Sequence, residues 1–151
     1  MIAFEEQIAG QMKDALRAKD QVKLDVLRAM KSALKYKFVE KSQADISVEE
    51  ALAVFQTMIK QRKDSVEQFT KFNRPDQAAK EQREIEVISS FLPKQLSEAE
   101  LKTLITDAIK ASSAANQRDL GKVMKELKPK ILGRADAKTV TDLVRQQLPA
   151  S

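Results

Sequence analysis

The 151-residue chain has no cysteine, no histidine and no tryptophan, and only three glycines and four prolines. Each absence removes chemistry. Without cysteine or histidine there is no disulfide framework, no zinc finger, and no Cys–His or Ser–His–Asp nucleophile relay. With glycine only at Gly10, Gly121 and Gly133, neither a phosphate-binding P-loop nor a dinucleotide fingerprint can be written. A carboxylate-only metal site or a Ser/Lys or paired-acid catalyst is still open on paper, but the inventory argues against an autonomous enzyme, and no cofactor is called for. No apolar run approaches the ~20 residues of a membrane span. Met1-Ile2-Ala3-Phe4-Glu5-Glu6 carries acids where an export signal needs bases. The expectation is a soluble cytoplasmic protein without membrane partners.

What is present is helix-forming. Ala, Leu, Lys, Glu and Gln abound, and 42% of residues are apolar, enough for a core in a chain that buries roughly 70% of its unfolded surface. Apolar spacing predicts helices over 3–18, 21–41 (capped by Asp20), 47–72 and 76–91. Ser47-Val48-Glu49-Glu50 has the form of a capping box. Pro75 separates the third and fourth helices.

Phe91-Leu92-Pro93-Lys94-Gln95-Leu96 marks a boundary, because proline pushes the residue before it out of the helical region. Ser97-Glu98-Ala99-Glu100 then supplies a second capping box, with Leu96 and Leu101 placed as a hydrophobic staple. Helices are predicted over 98–111 and 118–128, the latter limited or kinked by Pro129, with Gly133 suited to a left-handed turn. Asp136 is placed to cap a last helix. The predicted architecture is all-α: a four-helix N-terminal domain (1–92), a hinge (93–95) and a small three-helix C-terminal domain (96–151).

The 27 basic and 22 acidic residues give a net charge of +5, unevenly distributed. Residues 13–41 hold nine bases and four acids, residues 118–138 hold seven and three, and the remainder sums to −4. In the second patch Lys122, Lys125, Lys128, Lys130, Arg134 and Lys138 cluster, with Lys122 and Lys125 facing away from the Leu120/Val123/Met124/Leu127 stripe. They form either a phosphate-contacting surface, aided by free amides at the start of the last helix, or a solvated face with Arg134 paired to Asp136 or to a helix carboxyl end.

In the first patch Arg28, Lys31 and Lys35 share one ridge. It can track a nucleic-acid backbone, but the acids Glu81, Glu84 and Glu86 are its expected counterparts. Those acids are poor catalyst candidates, since a bundle metal site normally adds Glu-x-x-His motifs. Of seven aromatics, Phe38, Phe55, Phe69 and Phe91 lie on apolar stripes. Tyr36 and Phe72 do not; they are the candidates for base stacking or partner contact, and are most expected to cover an inter-helix groove.

Over about 4–148 the chain resembles the stand-alone YqeY proteins of the GatB/YqeY family. The match is carried by Ile59-Lys60-Gln61-Arg62-Lys63-Asp64-Ser65, Glu84-Ile85-Glu86 and Phe91-Leu92-Pro93-Lys94-Gln95-Leu96-Ser97. In the tail it is carried by Gly121-Lys122-Val123-Met124 and Gly133-Arg134-Ala135-Asp136. One departure is Ala137, where the family often has glycine.

The resemblance implies a helical module related to the tail of the B subunit of the tRNA-dependent amidotransferase, also found on some glutaminyl-tRNA synthetases. In those settings the tail is associated with holding tRNA while chemistry happens elsewhere. The expected function is therefore non-catalytic binding of tRNA, or service to a tRNA-charging or amidotransferase enzyme. A protein-interaction adaptor built on the 47–91 hairpin is the alternative. Carbon–nitrogen ligase activity with glutamine as amido donor is a third reading, inherited from the amidotransferase, whose catalytic domain lies outside the shared module.

Overall fold

The computed structural model describes residues 1–150. These form seven α-helices and one 3-10 turn, and the class is all-α. The nearest approach to a sheet among the described residues is one parallel bridge between Ile2 and Ile46. The chain divides into two compact units, one spanning Met1–Leu92 and one beginning at Pro93.

The first unit contains α1 (Glu5–Arg17), α2 (Gln21–Glu40), α3 (Val48–Lys71) and α4 (Pro75–Ser89). Local chemistry starts each later helix. The Asp20 carboxylate accepts from the Lys23 amide at 3.1 Å. Ser47 and Glu50 close both halves of the expected capping box, and Pro75 occupies the first turn of α4, where its missing N–H costs nothing. The α2–α3 loop turns through left-handed Ser42 and Gln43.

Leu27, Met30, Leu34, Phe55 and Ile88 are almost fully buried in this unit. The rings of Phe4, Phe55 and Phe91 meet at centroid distances of 5.5–6.1 Å, joining the chain start to α3 and to the end of α4. Phe4 itself holds a left-handed conformation (φ 66°). That conformation is unusual for a bulky residue, and the two ring contacts of Phe4 offset its strain. Tyr36 and Phe72 do not cover a groove as expected. They are 75% and 66% exposed.

The second unit contains α5 (Glu98–Ser112), the 3-10 turn Gln117–Asp119, α6 (Leu120–Ile131) and α7 (Ala137–Gln147). Its core is one cluster: Leu101, Ile105, Ala108, Val123, Leu127, Ile131, Val140, Val144 and Leu148, with Leu96 packed against it as the staple required. Each fully buried aliphatic side chain is worth about 1.5–3 kcal/mol. Ser97 accepts from the Glu100 amide at 3.1 Å. The second capping box is nevertheless only half formed, because the Glu100 carboxylate accepts from the Ser97 hydroxyl at 3.0 Å rather than from its backbone.

Helix α6 runs through Pro129 to Ile131 instead of ending before it. Proline leaves the Lys125 carbonyl without its i+4 donor. Lys125 and Pro129 are both exposed, so water can serve that carbonyl, while buried Ile131 holds the last turn in the core. Gly133 takes the expected left-handed conformation, φ 71°. Ala137, the departure from the family pattern, opens α7 as an exposed helical residue, a position that makes no demand for glycine.

Candidate nucleic-acid interface

Helix α6 is two-faced. Val123, Leu127 and Ile131 are buried and Leu120 and Met124 half-buried, while Lys122, Lys125, Lys128 and Lys130 on the remaining arc are exposed. The 3.6-residue repeat that places three apolar side chains in the core also points these lysines outward. Lys128 and Lys130 lie in the last turn, where the helix dipole favours cations. Lys138, in the first turn of α7, is exposed as well.

The six tail bases are not equivalent. Lys125, Lys128, Lys130 and Lys138 have no ion pair among the described residues. Lys122 lies 3.5 Å from Asp119, whose carboxylate also accepts from the Ala115 amide at 2.8 Å. That backbone bond, aided by the Lys122 charge, lowers the Asp119 pKa below its ordinary value.

Arg134 is half-buried and structurally engaged. Its Nε donates to the Lys94 carbonyl at 3.0 Å, and its own carbonyl accepts from the Leu96 amide at 2.9 Å. Gln95 adds a 2.7 Å bond to the Gly133 carbonyl. Arg134 thus ties the segment before α5 to the α6–α7 turn, and its partner is a loop carbonyl rather than Asp136 or a helix end. The anion site expected at the start of α7 is already filled from within. The Asp136 carboxylate accepts from the Thr139 amide and hydroxyl at 3.2 and 3.0 Å, and its charge would oppose a phosphate there.

The ridge on α2 also differs from expectation. Glu84 is not its partner but pairs with Arg62 on α3, Nε to Oε2 3.4 Å, with the two side chains only 17% and 13% exposed. Arg62 also donates from Nη1 to the Met58 carbonyl at 3.2 Å, while its buried Nε is outside hydrogen-bond geometry. Glu81 stands beside Glu84. Burial, then the neighbouring carboxylate, raises its pKa.

Arg28 reaches only Asp25 on its own helix, at 3.9 Å, and Lys31 and Lys35 have no ion pair among the described residues. The signal for the Arg62 site is present in the sequence. Phe55, Ile59, Arg62, Val66 and Phe69 are spaced 4, 3, 4 and 3 residues apart, so arginine occupies an apolar slot. Glu81 and Glu84 likewise continue the row of Ile88 and Phe91. No group of three or more acids able to hold a metal ion occurs among the described residues.

Fold and surface together define a small all-α protein whose two units each bury their own apolar core, with exposed lysines along α6. The YqeY-like protein family matches residues 5–148, and the chain belongs to that family. Among curated proteins it is similar to the Saccharomyces cerevisiae protein named "Altered inheritance of mitochondria protein 41, mitochondrial". That relative is 30% identical over 126 residues, covering 80% of this chain and 68% of the yeast protein.

The protein of the same name from Lachancea thermotolerans is 31% identical over 107 residues, 70% of this chain and 57% of its own length. The match thus spans little more than half of that relative. These names correct the expectation of a cytoplasmic protein: the relatives are named as mitochondrial.

Proposed function

We propose that the chain is a non-catalytic RNA-binding module. Its C-terminal three-helix domain holds tRNA through phosphate contacts, and its four-helix domain is a separate folding unit. The observation that supports this most is the set of unpaired lysines, Lys125, Lys128, Lys130 and Lys138, on the exposed side of α6 and the start of α7. A folded domain gains nothing in stability from exposed lysines that have no ion-pair partner. The same charges attract a polyanion, and lysine as a point charge suits contacts that carry no base information. Arg134 positions the turn, and Lys122 is part-neutralised by Asp119, so the phosphate-binding set narrows to the four free lysines.

Binding to three or four phosphates releases about as many counterions, so log K should fall with log salt at a slope near −3. A fluorescence titration of labelled tRNA at several salt concentrations measures it. Absence of affinity at low salt would overturn the proposal.

A second reading draws on the tip of the α3–α4 hairpin. There exposed Phe72 and half-buried Phe69 sit with Gln68 and Arg74 around an open hollow, a surface suited to a partner enzyme such as one that charges or amidates tRNA. Co-purification of a defined protein that survives nuclease treatment and is abolished in Phe72→Ser would favour it. Glutamine- and ATP-dependent amide formation by the isolated chain would establish the third reading, a carbon–nitrogen ligase.

A further inference from the structure

The α2 ridge is left unexplained by the RNA reading, and none of the acids expected to neutralise it forms an ion pair with it among the described residues. Lys31 and Lys35, one turn apart on α2, instead line a cavity of about 440 Å³ between that helix, the start of α1 and the first residues of the chain. Its other walls are Met1, Ile2, Glu5, Ile8, Leu34 and Phe38. Ile8 and Leu34 belong to the buried core and close the floor, and half-buried Ile2 and Phe38 form the sides. The Met1 ammonium is engaged by Asp45, which leaves Lys31 and Lys35 as the unpaired charges at the cavity, against the single carboxylate of Glu5.

Cavities of this size take small molecules, with apolar walls holding the body and a few polar groups fixing orientation. We propose that this cavity binds a small amphipathic anion, a carboxylate or phosphate head on an aliphatic body. Lys31 and Lys35 take the head, and Ile2, Ile8, Leu34 and Phe38 surround the body. The walls offer no amide or hydroxyl side chain to hydrogen-bond a polar ring, which disfavours nucleotides and sugars. Two ammonium groups on adjacent turns suit either head group, as each is a compact charge that needs no planar fork. The inference does not depend on RNA binding, because none of its residues lies in the tail unit.

The test uses the full-length protein and anilinonaphthalene sulfonate, an apolar anion that fluoresces when shielded from water. One equivalent should bind saturably, and both decanoate and decyl phosphate, each below its micelle concentration, should displace it. Whichever displaces at lower concentration identifies the head group. Decanol, with the same tail and no charge, should be at least tenfold weaker. The double variant Lys31→Gln/Lys35→Gln should lose at least tenfold in affinity with an unchanged thermal midpoint, whereas Lys125→Gln/Lys128→Gln should bind as the parent does. Competition by decanol equal to that by decanoate would overturn the proposal. So would unchanged binding in the Lys31/Lys35 variant, or uptake of several equivalents.

Discussion

The two units use charge in opposite ways. In the first unit, beside local pairs such as Arg28 with Asp25 and Lys37 with Glu40, some cations reach acids outside their own helical turn. Arg62 meets Glu84, Arg83 meets the Asp20 cap of α2 at 3.3 Å, and Lys41 meets Glu50 at 2.7 Å. In the second unit the ion pairs found among the described residues are local, Lys102 with Glu98 and Lys122 with Asp119, and four tail lysines stand alone. Charge in the first unit helps fix one helix against another. In the second, apolar packing and hydrogen bonds such as Thr106 to Gln147 hold the helices, and the four tail lysines take no part in either. A net charge of +5 thus conceals two different distributions of paired and unpaired cations.

Breaking the tertiary pair should give the largest effect. Arg62→Ala strands Glu84 in a site that is only 13% exposed. Loss of one partner of a buried pair costs about 3–5 kcal/mol, and the remaining exposure reduces this to about 2–3 kcal/mol. For a unit of this size that is a fall in thermal midpoint of roughly 10–15 °C. Arg62→Ala/Glu84→Gln should recover part of it, because the uncompensated carboxylate is gone. Calorimetry of the two variants decides the matter, and equal midpoints for the single and double variants would show the pair to be unimportant. Arg83→Ala removes an arginine that is 57% exposed and should cost less than ~1 kcal/mol.

The reverse pattern is expected in the tail. Lys125→Ala/Lys128→Ala/Lys138→Ala breaks no ion pair within the fold, so stability should change by no more than about 0.5 kcal/mol. RNA affinity at low salt should fall by at least about tenfold, and the salt slope should flatten by roughly two to three units, about one for each phosphate no longer neutralised. A large loss of stability in this variant would erase the contrast between the units.

Acid offers a third probe. The Lys41 hydrogen bond, followed by the Ser47 amide, lowers the Glu50 pKa from 4.5 to about 2. A carboxyl depressed on folding contributes stability that is complete above its unfolded pKa and is lost as pH falls through the folded value. The first unit should therefore weaken between about pH 4.5 and 2, and Glu50→Gln should lessen that dependence. Glu81 acts in the opposite sense. Its pKa is raised on folding above 4.5, so its contribution is complete below that unfolded value and is lost as pH rises through the folded one. Urea midpoints measured from strongly acidic to neutral pH separate the two carboxyls once each is replaced by glutamine.

The sequence reveals most where the determinants are local. The Asp20, Ser47, Ser97 and Asp136 caps, the proline at the start of α4 and the left-handed Gly133 each depend on a few neighbouring residues, and all are legible. The pairing of Arg62 with Glu84 depends on the rotation of α3 against α4, which periodicity leaves open, so sequence reasoning assigns the α2 ridge to acids it does not meet. Arg134 escapes for a related reason. Its bond to the Lys94 carbonyl spans 40 residues, and composition registers only a cation in a basic segment. The lysines of α6 are easier, because an amphipathic helix with a strong apolar stripe leaves its other face no choice but solvent.

The smallest expected effect gives the finest division of the tail. Lys122 is 67% exposed and 3.5 Å from Asp119, so its pairing contributes little, and Asp119 keeps its bond to Ala115 without it. Lys122→Ala should leave stability almost unchanged. Its effect on RNA affinity should be smaller than that of Lys125→Ala, because a phosphate approaching Lys122 must compete with a carboxylate already in place. Asp119→Asn sharpens the test: it should strengthen RNA binding while removing part of the acceptor strength that holds the Ala115 turn. If Lys122→Ala and Lys125→Ala weaken binding equally, the local ion pair does not screen the tail, and pairing ceases to divide the tail bases.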